Sequence, residues 1–62
     1  MKMNEIMAII KVLASSQGFY SRLYHNLNMI QATDENRFNA ITSELEKQNF
    51  KDSIDVICFF EH

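Results

Sequence analysis

The chain has no proline, no tryptophan, one glycine and one cysteine in 62 residues. A lone cysteine, Cys58, excludes an intrachain disulfide. With His25 and His62 far apart, it also argues against a four-ligand metal cluster. There is no internal repeat, no low-complexity segment and no room for a linker. The six basic residues, Lys2, Lys11, Arg22, Arg37, Lys47 and Lys51, form no run, and the net charge is −2. The electrostatic footprint of a nucleic-acid binder is missing, and the acidic excess is too small for a nucleic-acid mimic. No apolar stretch approaches the roughly 18–20 residues of a membrane helix. Lys2 ahead of Ile6–Ala14 has the outline of a signal peptide. Glu5 and Lys11 interrupt it, and Ala14-Ser15-Ser16 is a poor cleavage site, so none is expected. The unpaired cysteine points to a reducing compartment, and a cytoplasmic location is the expectation.

What the chain does have is apolar content, 47% of its residues. A single domain this short buries only about 60% of its unfolded surface. Small domains usually need a disulfide, a metal or a partner subunit. With the first two disfavoured, self-association is the expected support.

One apolar seam organises the first half. Ile6, Leu13, Tyr20 and Leu27 recur every seven residues, and Ile9, Ser16, Leu23 and Ile30 fill the second series. Alternating steps of three and four mark one helix face. The seam runs through Ser15-Ser16-Gln17-Gly18, where a chain ordinarily breaks. Residues 4–31 form either one helix or two, and the hydroxyl of Ser16 on the seam favours a break or kink at 15–18. Asn4 is the expected N-cap of the first segment, with Glu5 favourable beside it. Ser16 is the candidate N-cap of the second, and Gly18 the candidate left-handed residue closing the first.

Thr33 and Asp34 then supply N-cap types. Phe38, Ile41, Leu45 and Gln48 repeat at helical spacing, which predicts a third helix ending near Gln48 or Asn49. The last segment, Ile54 to Glu61, is rich in strand formers but alternates poorly. A lone strand would have to pair with another molecule. As a helix it starts well, with Asp52 as N-cap and Asp55 three residues on. The fold class predicted is all-α: a bundle of three to four helices, one domain over residues 1–62, with the C-terminal helix packed back on the N-terminal segment. Ile54, Ile57, Cys58 and Phe60 are expected to be buried against Ile6, Ile9, Ile10 and Leu13.

No constellation carries chemistry with conviction. Ser21 and His25 are four apart, but no third group orients the histidine and no glycine-rich loop offers an oxyanion hole. Glu44, Glu46, Asp52 and Asp55 suit solvated faces and caps better than a paired-acid site. Met3, Met7 and Met29 read as gap-fillers, and Cys58 as a buried inert thiol. The expectation is a non-enzymatic protein without cofactor, metal or small-molecule substrate. Among the aromatics, Phe19, Tyr20, Tyr24 and Phe59 are the candidate partner interface, Phe19 because it lies beside the seam.

One rival reading is specific. Leu13-Ala14-Ser15-Ser16-Gln17-Gly18-Phe19, followed by Tyr24 and Leu27, resembles the helix-turn-helix pattern of small repressors. Gln17 departs from it, standing where an apolar residue is usual. The recognition helix would present Ser21, Arg22, His25 and Asn26 to DNA. These types read bases, but one arginine gives little phosphate attraction.

Two further stretches, Ser16-Gln17-Gly18-Phe19-Tyr20-Ser21-Arg22-Leu23 and Leu45-Glu46-Lys47-Gln48-Asn49-Phe50-Lys51-Asp52-Ser53-Ile54-Asp55, carry another likeness. They are similar to segments of small uncharacterised proteins from phages and mobile elements of Gram-positive bacteria. Such chains often carry Gly near Ser21 and Pro near Ser53, where this one has serine twice. The resemblance implies a compact helical protein of a mobile element and brings no activity or site with it. In that setting the partner is a second copy or a host protein that the chain regulates or inhibits.

Overall fold

A computed structural model describes all of residues 1–62. Four α-helices form and no strand: α1 (Met3–Ala14), α2 (Gly18–Thr33), α3 (Glu35–Glu46) and α4 (Ser53–Glu61). The seam is therefore shared by two helices. A single helix over residues 4–31 would be roughly 42 Å long, against a longest molecular dimension of 28 Å.

The break falls at Ser15-Ser16-Gln17, but its chemistry differs from the expected caps. Ser15 Oγ donates to the Val12 carbonyl at 2.7 Å, and the Gln17 N–H donates to the Leu13 carbonyl at 3.1 Å. These bonds satisfy acceptors that the end of α1 leaves open. Gln17, not Ser16, is the N-cap of α2, held extended at φ −130° and ψ 122°. Gly18 is not a left-handed cap of α1: no glycine here has positive φ, and Gly18 is already the first residue of α2. The turn is made by residues that need no glycine.

Lys2, not Asn4, is the N-cap of α1. Lysine has no acceptor to offer, so carboxylates do the capping. Glu5 accepts the Lys2 N–H at 3.1 Å, and Glu46, from the end of α3, accepts the Met3 N–H at 2.8 Å. The second bond also ties α1 to α3. Asp34 joins α2 to α3 alone: its N–H donates to the Ile30 carbonyl at 2.8 Å, and its Oδ1 accepts from the Arg37 N–H at 3.1 Å. α3 ends at Glu46, earlier than expected, and Asn49 takes a left-handed φ of 55°. Asparagine tolerates that region. The turn delivers Phe50 into the core, a residue with no periodic neighbours to announce it. At α4, Asp52 caps the Asp55 N–H at 3.1 Å, while Asp55 reaches back to the Lys51 N–H at 2.9 Å.

α1 is the central helix and packs against the other three. Met3, Ile6, Ile10, Tyr20, Leu27, Phe38, Leu45, Phe50 and Val56 form the core. The seam residues Ile9, Leu13, Leu23 and Ile30 pack against it half-buried, while Ser16 is exposed at the turn. Helix α4 does fold back on α1, but its rotation corrects the expected burial. Val56 is fully buried, Phe60 and Ile57 are half-buried, and Ile54 and Cys58 are exposed. Val56 and Phe60 are four apart and face inward together. Ile54 and Cys58, offset by two residues and thus roughly 160–200° around the helix, must then face outward. A nine-residue helix apolar on every side buries only one of them.

Candidate functional site

Rotating α4 this way leaves an apolar surface where α4 meets α1. Ile9, Val12 and Leu13 of α1 and Ile57 of α4 wall a groove of about 380 Å³, with Ala8 and Ser53 contributing its small residues. Val12 is 70% exposed and Ile54 66% exposed. Ile54 stands one turn before Ile57, on the same side of α4. Val12 lines the groove, and Ile54 is exposed beside it on α4. No acid or base lines it. Sequence periodicity missed this surface, because it exists only once α4 is docked with Val56 inward.

The aromatic residues singled out from sequence do meet, but not as one exposed patch. Phe19, Tyr20, Phe60, Phe59 and Phe50 form a row of edge-to-face contacts, with successive centroids 5.1, 6.5, 5.2 and 5.4 Å apart. Such pairs add to burial through the ring quadrupoles. Phe19 and Phe59 are nearly half exposed. Tyr20 is fully buried, which corrects its assignment to a partner interface: no surface of its ring is open to a partner. Its hydroxyl donates to Glu61 Oε2 at 2.7 Å, tying the start of α2 to the end of α4. Burial, then this bond to a carboxylate, push the Tyr20 hydroxyl up to about 12. Tyr24 is half-buried and turns instead towards a cleft between α1, α2 and α3.

Ser21, Arg22, His25 and Asn26 are all exposed on the outward side of α2. Lys11 does not join that stripe. It lies across the α1–α2 cleft, beside Tyr24, Asn28 and Gln31. The outward face of α2 thus carries one arginine and one histidine and no further positive charge from α1. Cys58 is exposed rather than buried, a consequence of the same rotation of α4. No group of three or more His, Cys, Asp or Glu side chains converges to hold a metal ion. No helix is long and apolar enough to cross a membrane. No protein-family model, curated protein or solved structure matches this chain.

Proposed function

We propose that this chain is a small non-enzymatic interaction module of the cytoplasm that pairs with a second copy of itself through the α1–α4 face. One observation carries the reading: Val12, 70% exposed, lines an apolar groove free of charged residues, and Ile54, 66% exposed, stands one turn from the groove residue Ile57. Such a face suits an isologous dimer, in which the same patch of both copies meets. The need for a partner is independent of the groove. Only nine residues are buried, and Cys58 is the only cysteine.

Magnitudes place the affinity. A micromolar dimer needs about 8 kcal/mol of net free energy. Burying what is exposed of Val12 and Ile54 on both copies yields roughly 4–8 kcal/mol gross, before the costs of association. The half-buried Ile9, Leu13 and Ile57 must add to it for the pairing to reach micromolar affinity. Sedimentation equilibrium tests it: the apparent mass should climb from 7.3 kDa towards twice that value across the micromolar range. A clean monomer up to high concentration would refute self-association.

The mobile-element resemblance adds a host protein as the alternative occupant, with its regulation or inhibition as the consequence. The helix-turn-helix alternative rests on one favourable observation, the common exposure of Ser21, Arg22, His25 and Asn26. The charge around them opposes it.

A further inference from the structure

A second hollow, an open cleft of about 500 Å³, is lined by residues of α1, α2 and α3. That is within the range of small-molecule sites. Its apolar lining comes from Met3, Met7, Ala8, Tyr24 and Phe38, with two thioethers and two rings among them. Four of its six polar lining residues are of one chemical kind. Asn4 from α1, Asn28 and Gln31 from α2 and Asn39 from α3 bring a carboxamide from each helix. Each carboxamide donates two hydrogen bonds and accepts at its oxygen. Lys11 is the only charged residue of the lining, and no acid accompanies it. The chain's one ion pair joins Lys47 to Glu44 at 3.5 Å, so Lys11 has no carboxylate partner.

The same wall holds the chain's one unsatisfied buried side-chain atom. Thr42 Oγ1 is shielded from solvent and makes no hydrogen bond. Buried polar groups are nearly always paired, and one left over calls for an explanation. Thr42 itself lines the cleft.

We propose that the cleft binds a small anion with a flat body and an edge of hydrogen-bonding nitrogen and oxygen atoms. The flat body lies on Met7 and Tyr24, above the buried Met3 and Phe38, where sulfur and ring favour a π-system. The polar edge pairs with the carboxamides, and Thr42 Oγ1 gains the partner it lacks. The anionic group faces the Lys11 ammonium. A cation would find no carboxylate in the lining. Purine nucleotides and aromatic amides bearing a carboxylate share this chemistry. The cleft shares Ala8 with the α1–α4 groove and otherwise has its own lining.

Proton–nitrogen NMR reads the carboxamide side chains directly. AMP, GMP and hippurate are the anionic probes; adenosine, guanosine and hippuramide are their uncharged counterparts. At least one anion should shift the NH2 signals of Asn28, Gln31 and Asn39 with Kd at or below about 1 mM. Its uncharged counterpart should bind about fivefold more weakly. Lys11→Met should erase that difference, and Thr42→Val should keep full helical circular dichroism while raising Kd several-fold. Response to a nucleotide alone, or to hippurate alone, assigns the class. No shift at about 5 mM, shifts confined to residues outside the cleft, or affinity unchanged in both variants would overturn the proposal.

Discussion

Tyr20 offers a perturbation whose effect changes with pH in a defined direction. Its ring is fully buried and its hydroxyl donates to Glu61 at 2.7 Å. Tyr20→Phe keeps the ring contacts with Phe19 and Phe60 and removes only the oxygen. At pH 7 to 8 the loss of a hydrogen bond to a charged acceptor should cost about 1.5–3 kcal/mol. That is a large share of the 3–5 kcal/mol such a small core supplies. The hydroxyl is held at about 12 rather than 10.0 in the folded state. Below pH 10 the tyrosine is protonated in both folded and unfolded chains, and its contribution is complete. Between pH 10 and 12 the unfolded chain loses the proton while the folded one keeps it. The unfolded state then binds fewer protons, and stability falls as pH rises through this window. Tyr20→Phe has no such loss at this position. The gap between wild type and variant should therefore be widest near pH 8 and close towards pH 12. Urea denaturation followed by circular dichroism measures it at each pH. A gap that stays constant from pH 8 to 11.5 would refute the coupling of burial, hydrogen bond and ionisation at Tyr20.

Other substitutions separate the structure from plausible misreadings of it. Gly18→Ala should stabilise the fold by about 0.4–1 kcal/mol, because Gly18 is helical and a Cβ there meets only Arg22 Nη1 at 3.6 Å; a left-handed cap would give a loss instead, and a thermal melt distinguishes the two. In dilute solution Val56→Ala should cost about 2–3 kcal/mol as a fully buried residue, while Ile54→Ala stays within about 0.5 kcal/mol; the reverse order would mean that α4 is rotated. Truncation after Ser53 removes Val56, Phe60 and the Glu61 carboxylate together, and should abolish cooperative thermal unfolding. Random duplex DNA at about 50 mM salt, where phosphate contacts are strong, should leave fluorescence anisotropy unchanged; saturable binding there would favour the helix-turn-helix reading.

Much of this fold was legible because its signals are local. The polar tetrad at 15–18 marked the hairpin, and Asp34 and Asp52 announced two helix starts by residue type alone. The three-four spacing of Ile6, Ile10, Phe38 and Leu45 marked the faces that are buried. What stayed hidden is long-range. The bond from Met3 to Glu46 and that from Tyr20 to Glu61 join residues 43 and 41 positions apart, with nothing local to foretell them. Phe50 is an isolated apolar residue between Asn49 and Lys51, and only the left-handed turn at Asn49 explains its burial. The orientation of α4 was unreadable because apolar residues occupy every side of it, so periodicity carries no phase. The α1–α4 face inherits that difficulty, and so did the aromatic interface. Tyr20 resembled its neighbours by type and differed from them only in where α4 came to rest.

The most direct measurement is the self-association constant of Ile54→Glu beside wild type, by sedimentation equilibrium, with circular dichroism on the same samples. Ile54 is 66% exposed, and an acid in the first turn of α4 favours the helix, so helical content should be unchanged. In a two-fold dimer the substitution puts two unpaired carboxylates into an apolar interface, and the dimer should weaken by at least about 100-fold. An Ile54→Glu chain that keeps its fold and associates as tightly as wild type would contradict the assignment of this face.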